Sequence, residues 1–187
     1  MGMTRSEQMA AVRQADTAPE VEIRRNLWKR GFRYRVGIRT PGGRPDLVFP
    51  RQRVAVFIDG CFWHGCPEHY VRPRTQEAFW CEKLRANFER DRRQTRTLLD
   101  HGWSVLRFWE HEAEYDCVKV CETIGATVRG ELAEQRHRRV VNVTLVDQVA
   151  DLERRTIEDL LDAAFCETTQ GPRRSRGGGA ARRRRIL

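Results

Sequence analysis

Residues 59–69 of this 187-residue chain, DGCFWHGCPEH, hold together the side-chain types that bind metals and move protons. The stretch contains two cysteines, two histidines, two acids and a Phe-Trp pair. Cys61, Cys66 and His69 have the spacing of zinc ligands, and a structural zinc site takes four thiolate or imidazole ligands in a tetrahedron. Pro67 stiffens the turn between the last two of these residues. The spacing therefore predicts three ligands of a structural zinc site.

The fourth zinc ligand has to come from another part of the chain. His111 lies at the end of a predicted strand, where its ring could reach the metal, and Cys117 is the competing candidate. In the alternative interpretation, His69 and His111 are ordinary surface histidines and the cysteines pack in the interior. The spacing alone leaves these alternatives open.

Two acids follow short apolar runs and could share a hard cation. Asp46 stands in GRPDLVF (43–49), and Asp59 ends the next run, VAVFI (54–58). A Pro-Asp pair followed by an acid at the end of the next strand is typical of PD-(D/E)xK nucleases. In such enzymes carboxylates hold Mg²⁺, which polarises the phosphate and generates hydroxide. The alternative is that Asp46 is a turn residue and Asp59 a structural cap.

The lysine of the PD-(D/E)xK pattern is missing, because Cys61 occupies its position. His64 could replace it as a general base or as a group that orients water, since imidazole titrates near neutral pH. Glu20 has two interpretations as well. It is the last residue of Thr17-Ala-Pro-Glu20, a capping-box pattern in which it need only reach back to the Thr17 amide. Alternatively, it is a catalytic group that points into the site as an acid behind the metal ligands or as a ligand that contacts the metal through water.

Three aromatic residues could contact DNA. Phe62 and Trp63 lie between Gly60 and the predicted zinc turn, and Trp80 lies on a long predicted helix. Aromatic side chains that enter a base stack deform or recognise a duplex. The alternative is that all three belong to the hydrophobic core.

The charge of the chain favours a polyanionic partner. Its formal net charge is +9, although seven arginines follow residue 172 and the remainder is only mildly basic. Phosphate contacts are largely Coulombic, so a basic chain is suited to nucleic acid. The sequence has no apolar run near the ~18 residues of a membrane span and no signal-peptide pattern. Six cysteines without a dense framework suit metal-bound thiolates in a reducing compartment, so a cytoplasmic, nucleoid-associated protein is expected.

The pattern of elements predicts an α/β fold, with a mixed central sheet flanked by helices in a single domain. The predicted strands are 32–37, LVF, VAVFI and WSVLRFW (103–109); LVF and VAVFI have almost no alternation, so they are expected to be central and buried on both faces. Helices are predicted at 4–14, at 17–31, at 75–100 with Phe79 facing inward, and at 113–128. We expect a nuclease domain over 1–130, an extension over 131–167 with an amphipathic helix at 143–165, and a disordered Arg/Gly-rich tail over 168–187.

Several motifs occur together in one order along the chain and resemble the very-short-patch repair (Vsr) mismatch endonucleases between about residues 5 and 112. They are R5-S6-x-x-M9, T17-A-P-E20, P45-D46, D59-G-C-F-W-H64-G-C, F79-W80-x-x-K83-x-x-x-N87-x-x-R90-D91, G102-W103 and W109-E110-H111. The resemblance implies a PD-(D/E)xK-type fold with a structural zinc. It also implies Mg²⁺-dependent nicking of one strand 5′ of the thymine in a T:G mismatch, which starts repair of deaminated 5-methylcytosine.

The resemblance assigns roles to single residues. Asp46 corresponds to the metal-binding catalytic aspartate, His64 to a catalytic histidine, and Glu20 to a glutamate near the site. For DNA contacts it implies wedging aromatics at Phe62, Trp63 and Trp80, contacts to the mispaired bases from Lys83 and Asn87, and insertion of Met9 from the other groove. The zinc ligands it implies are Cys61, Cys66, His69 and His111.

The chain departs from the best-known enterobacterial form at the site itself. Asp59 replaces a histidine, Ile58 a threonine, and His111 a cysteine zinc ligand. An acid at 59 restores the two-carboxylate pattern, so Asp46 and Asp59 are expected to hold Mg²⁺, and the flanking-sequence preference is the property most open to change. The expected partner is duplex DNA with a T:G mismatch, bound by a monomer, with repair factors as further partners and no membrane. The rival predictions are a restriction-type or defence nuclease acting on matched or modified DNA, and a zinc-dependent DNA-binding module without catalysis.

Overall fold

A computed structural model describes residues 16–131, and a three-stranded sheet forms their centre. The strands are β1 (Leu47–Phe49), β2 (Val54–Asp59) and β3 (Ser104–Trp109). β2 lies in the middle, antiparallel to β1 and parallel to β3. Nearly every residue of the three strands is buried, as expected of apolar runs without alternation. The mixed sheet flanked by helices confirms the predicted α/β class.

Four helices surround the sheet. They are α1 (Ala18–Lys29), α2 (Glu77–Asp100), α3 (Glu110–Tyr115) and α4 (Cys117–Arg129). α1 and α4 pack against each other on one face, and the main core there joins their apolar side chains to β1, β2 and β3. Among the described residues no helix is both long and apolar enough to span a bilayer.

The long helix α2 covers part of the other face of the sheet. Leu98 packs there with Ala55, Phe57 and Val105 in a second core cluster. α2 is followed by Gly102, whose φ of +72° lies in the left-handed region that favours glycine. The prediction that Phe79 faces inward on this helix is wrong, because 56% of its surface is exposed. Phe79 instead lies beside Trp80, with ring centroids 5.2 Å apart.

Two other predicted elements differ from the structure. Residues 32–37 form no strand and contribute only an isolated bridge, in which Arg35 and Val48 exchange backbone hydrogen bonds of 2.8 Å. The helix predicted at 113–128 is two helices, α3 and α4. They separate at Asp116, whose side chain accepts a hydrogen bond from the Lys119 amide and so caps α4. The helices predicted at 4–14 and 143–165, most of the 131–167 extension and the 168–187 tail lie outside the described residues.

Candidate active site and metal centre

The four predicted zinc ligands come together in one cluster. Cys61 Sγ lies 3.2 Å from His111 Nδ1, and Cys66 Sγ lies 3.6 Å from His111 Nδ1 and 3.7 Å from His69 Nδ1. One ligand atom from each of the four residues lies within 4.8 Å of the others. Zinc–sulfur and zinc–nitrogen bonds in a tetrahedron separate the ligand atoms by roughly 3.3–3.8 Å. Two thiols and two imidazoles at these distances fit a structural zinc ion.

The Cys61 thiol of this cluster needs a nearby cation to be ionised at neutral pH. Burial raises the pKa of Cys61 to about 12, and the neighbouring Cys66 raises it further, although a hydrogen bond with His111 lowers it. A bound metal deprotonates its thiol ligands outright. Cys117, the competing fourth ligand, lies elsewhere: its sulfur is 3.9 Å from Cys121 Sγ and 3.4 Å from Asn26 Nδ2. The geometry therefore favours His111 over Cys117.

Tight turns and close packing hold the loop between β2 and the zinc ligands. The amides of Trp63 and His64 donate to the Gly60 carbonyl, each at 3.1 Å, and the Cys66 amide donates to the Cys61 carbonyl at 2.9 Å. Gly65 has a φ of +66°, and a Cβ there would lie 2.9 Å from the ring of Phe88 on α2. A side chain at 65 would thus push the loop away from the helix. This packing fixes His64 relative to α2.

Asp46 lies directly before β1, close to two other acids. Its Oδ2 accepts a 2.7 Å hydrogen bond from the Ile58 amide of β2. Burial raises the pKa of Asp46 to about 6, and the negative charges of Glu20 and Asp59 also raise it, whereas the Ile58 amide and Arg24 lower it. An accumulation of buried negative charge with oxygen ligands is suited to a hard divalent cation. Asp46 therefore has the surroundings of a metal ligand, although the acidic side chains whose ligand atoms lie within 4.8 Å of one another are those of Asp59 and Asp91, together with His64.

Glu20 is part of a charged network at the start of α1 and is only 3% exposed. Its Oε1 accepts from the Thr17 hydroxyl at 3.0 Å, and its Oε2 accepts from the Asp16 amide at 3.1 Å and from Arg24 Nη2 at 2.7 Å. The amide that it reaches is therefore that of Asp16, one residue before the position expected in a capping box. Burial beside Asp46 places the carboxylate at the site, while Arg24 balances its charge.

His64 pairs with an acid of α2. His64 Nδ1 lies 2.6 Å from Asp91 Oδ2 and 3.6 Å from Asp59 Oδ1. Since a carboxylate can only accept, Nδ1 carries the proton, and Nε2 is left as the basic nitrogen of the neutral ring. Burial alone would raise the pKa of Asp91, but the hydrogen bond from His64 and the positive charge of Arg107 outweigh it and lower that pKa. An imidazole held by an ionised carboxylate can act as a general base.

Asp59 has a different neighbour from the one that the sequence suggested. Both of its oxygens accept from Arg107, Oδ1 from Nη2 at 2.6 Å and Oδ2 from Nε at 2.7 Å. The two side chains are almost fully buried. Arg107 takes one lone pair of each Asp59 oxygen and balances its charge, so Asp59 attracts a cation less strongly than an unpaired carboxylate would.

The three predicted wedge residues form one half-buried aromatic cluster. Ring centroids lie 5.3 Å apart for Phe62 and Trp63, 5.2 Å for Phe62 and Trp80, and 6.2 Å for Trp63 and Trp80. Tyr70 and the exposed Phe79 extend the cluster, with ring centroids 6.0 Å from Phe62 and 5.2 Å from Trp80, respectively. The cluster is neither a closed core nor a set of isolated exposed rings. It offers an aromatic surface directly beside His64.

Of the other predicted DNA contacts, Lys83 and Asn87 differ in exposure. Lys83 is exposed on α2 and could reach a ligand. Asn87 is only 5% exposed, and its Nδ2 donates a 2.6 Å hydrogen bond to the Trp63 carbonyl. In this structure Asn87 therefore holds the aromatic loop in place. Met9 lies outside the described residues.

Comparison with known proteins agrees with this geometry. The family model "DNA mismatch endonuclease Vsr" matches residues 2–69. The DNA mismatch endonuclease Vsr of Escherichia coli (strain K12) is 41% identical over 108 residues, which are 57% of this chain and 69% of that protein. The chain belongs to the Vsr family. The type II nicking enzyme V.NaeI of Lentzea aerocolonigenes is 50% identical over 119 residues, 61% of this chain and 72% of that protein.

A third relative is also a nicking enzyme. The type II nicking enzyme V.NmeDIP of Neisseria meningitidis serogroup C is 35% identical over 115 residues, covering 60% of this chain and 78% of that protein. The Vsr family consists of DNA endonucleases. Membership of this family confirms the prediction that the chain is a nuclease and the prediction that DNA is its partner.

Sequence reasoning missed the functional neighbours Asp91 and Arg107. Asp91 stood in the Arg-Asp pair of a quoted motif but received no role. Arg107 interrupts the apolar run WSVLRFW, and a charge at the centre of a buried strand has to be paired. That interruption was the signal, but its partner Asp59 lies 48 residues away along the chain.

Proposed function

We propose that the chain nicks one strand of duplex DNA 5′ of the thymine in a T:G mismatch, with Mg²⁺ as catalytic cation and zinc as a structural ion. The observation that carries this proposal is the position of His64, which pairs with Asp91 at 2.6 Å, lies 3.6 Å from Asp59 and directly follows Trp63 of the half-buried aromatic cluster. The name of the Escherichia coli relative, DNA mismatch endonuclease, points to the same substrate. The cleavage would begin short-patch repair of deaminated 5-methylcytosine.

The acidic site would hold the Mg²⁺ ion through Asp46, with Glu20 beside it and Asp59 as a further acid nearby. A cation bound there polarises the scissile phosphate and lowers the pKa of a water. His64 would take the proton of the attacking water on Nε2, while Asp91 keeps the proton of Nδ1 in place. Asp91 thereby fixes the tautomer and the orientation of the ring. We further propose that the domain has a PD-(D/E)xK-type nuclease fold, as the acids at the ends of two neighbouring strands suggest.

The aromatic cluster would recognise the mismatch by opening the base stack. Separating neighbouring bases costs a few kcal/mol and costs least where pairing is already imperfect. Phe62, Trp63 and Trp80 would enter the stack, Asn87 would fix the Trp63 loop, and Lys83 would contact the DNA from α2. Met9 would insert from the opposite groove, as the family resemblance implies.

Truncation of the cluster should weaken mismatch binding. We expect Trp80→Ala to raise the Kd for a T:G duplex about tenfold, because a base–aromatic stack contributes about 1–3 kcal/mol. Binding would be measured by fluorescence anisotropy without divalent cations, on T:G and T:A duplexes of one sequence. Trp28→Ala is the matched control, since Trp28 is 55% exposed on α1 and contacts Arg33 instead of the cluster. Equal weakening by both variants would contradict the role of the cluster.

A strand-resolved nicking assay tests the proposed function. Duplexes with separate labels on both strands, matched or carrying T:G in several flanking contexts, would be incubated with the protein and Mg²⁺. We expect one nick, on the thymine strand, 5′ of the mismatched thymine. Cleavage of matched duplexes would instead support the restriction-type or defence nuclease, and binding without cleavage under any divalent metal would support the DNA-binding module.

A further inference from the structure

Arg107 is a buried charge at the centre of β3, where its neighbours along the strand are apolar. Only 6% of its surface is exposed. A guanidinium in such a place is tolerated when its donors are paired, and removing one partner leaves a costly uncompensated charge. Arg107 Nε and Nη2 form the two-pronged contact with Asp59, at 2.7 and 2.6 Å.

The same guanidinium also reaches α2. Nη2 lies 3.3 Å from Asp91 Oδ1, and Nη1 donates to the Thr95 hydroxyl at 3.4 Å. Its carbon lies 4.7 Å from the ring centroid of Phe57. The planar group is therefore contacted by β2 on one side and by α2 on the other. Burial lowers the pKa of Arg107, but the charges of Asp59 and Asp91 raise it above its usual range, so the group stays charged.

Two carboxylates compete for one proton of His64. Asp91 Oδ2 lies 2.6 Å from Nδ1 and Asp59 Oδ1 lies 3.6 Å from the same nitrogen. Arg107 engages both oxygens of Asp59 but only Oδ1 of Asp91, and thereby leaves Asp91 Oδ2 for the histidine. The choice of partner for His64 thus depends on where the guanidinium places its donors.

We propose that Arg107 is a positioning residue of the nicking reaction. By binding Asp59 it keeps that carboxylate from competing for the proton of His64, and it sets the orientation of His64 through Asp91. The inference rests on the proposed role of His64 as the base. Arg107 itself contacts neither DNA nor cation in this account. Lysine could neutralise Asp59 but lacks the planar fork that contacts Asp59 and Asp91 together.

The test compares Arg107→Lys with the wild type in two measurements. In single-turnover nicking of a T:G duplex we expect the rate to fall about tenfold to a hundredfold, because a small displacement of a catalytic group has effects of that size. We expect the Kd for the duplex to stay within twofold. In the His64→Ala background the Arg107→Lys change should have no further effect, since groups that act through one another are not additive. Equal effects in both backgrounds, or a Kd that rises as much as the rate falls, would overturn the proposal.

The second measurement does not require activity. In the metal-loaded full chain, the Nδ1 proton of His64 should give a downfield NMR signal that disappears in His64→Gln and in Arg107→Lys. Persistence of this signal unchanged in Arg107→Lys would overturn the proposal. Arg30→Lys is the control, because Arg30 pairs with Glu122 at 3.9 Å and is partly exposed. In Arg30→Lys the His64 proton signal and the nicking rate should equal those of the wild type.

A double variant covers the case in which Arg107→Lys does not fold. Asp59→Asn combined with Arg107→Met removes both buried charges, which is often neutral for stability. Because the competing carboxylate of Asp59 is then gone, the His64 signal should be retained, and its loss would overturn the proposal. A wild-type chain that nicks no duplex but shows the Arg107-dependent signal would refute the proposed function while the positioning role stands.

Discussion

Replacing Asp46 with asparagine is expected to abolish strand nicking and to leave DNA binding intact. Asp46 is the acid that we place on the catalytic cation, and loss of a metal ligand removes several kcal/mol of transition-state stabilisation. About 4 kcal/mol corresponds to about a thousandfold in rate, so the single-turnover nicking rate should fall at least that far. Asparagine is isosteric and can still accept the hydrogen bond from the Ile58 amide, which is 2.7 Å long.

The stability of Asp46→Asn separates a catalytic loss from a folding defect. Burial raises the pKa of Asp46 to about 6, so the ionised carboxylate is disfavoured in the folded protein at neutral pH. A neutral amide should therefore melt at the same temperature as the wild type or higher. Asp100→Asn is the matched control, because Asp100 is exposed at the end of α2 and pairs with Arg96. Loss of binding in step with nicking in Asp46→Asn would contradict the assignment.

Removal of zinc is expected to destabilise the whole domain. The cluster ties the loop after β2 to α3, and Cys66 is completely buried within it. Structural zinc contributes folding free energy directly, since the ligands are not assembled in the unfolded chain. The purified protein should hold one zinc per chain. Cys66→Ser, or treatment with a zinc-selective chelator, should lower the Tm by more than about 10 °C, which corresponds to a few kcal/mol in a domain of this size.

The neighbouring thiol pair provides the control for the zinc prediction. Cys117→Ser should retain one zinc and melt near the wild type, because Cys117 contacts Cys121 and Asn26. Zinc content would be measured by elemental mass spectrometry, and melting by circular dichroism in the presence of Mg²⁺. Full zinc retention in Cys66→Ser, or loss of zinc in Cys117→Ser, would contradict the ligand set that the geometry favours.

The parts of the fold that the sequence predicted correctly are those in which one local pattern determines the outcome. The runs at 47–49 and 54–58 are apolar throughout, and the run at 103–109 is apolar except for Ser104 and Arg107, so buried strands suit all three. The alternating pattern at 32–37 is also typical of a strand. Whether such a segment pairs along its whole length depends on a neighbouring strand, which the pattern does not specify. Phe79 fits the apolar periodicity of α2. It lies in the first turn of the helix, however, where it is exposed and packs beside Trp80 of the aromatic cluster.

The candidate site shows the same division between local and distant information. Cys61, Cys66 and His69 were predicted from spacing, because they lie within nine consecutive residues, which can bring them together whatever the rest of the fold. The partners of Asp59 and His64 depend on how α2 and β3 pack against β2. Two acids on neighbouring strand ends suggested a shared cation, whereas Arg107 on the third strand, whose register partner on β2 is Phe57, engages one of them, Asp59. Nothing local to Asp59 indicates that arginine.

Specificity for the T:G mismatch is measured by the ratio of single-turnover nicking rates on two duplexes. The duplexes differ in one base, so that the same thymine pairs with guanine in one and with adenine in the other, and the thymine strand carries the label. We expect a nick 5′ of that thymine at a rate at least a hundredfold higher on T:G, about 3 kcal/mol of discrimination. Equal rates on the two duplexes, or cleavage at a site that does not follow the mismatch, would contradict this specificity.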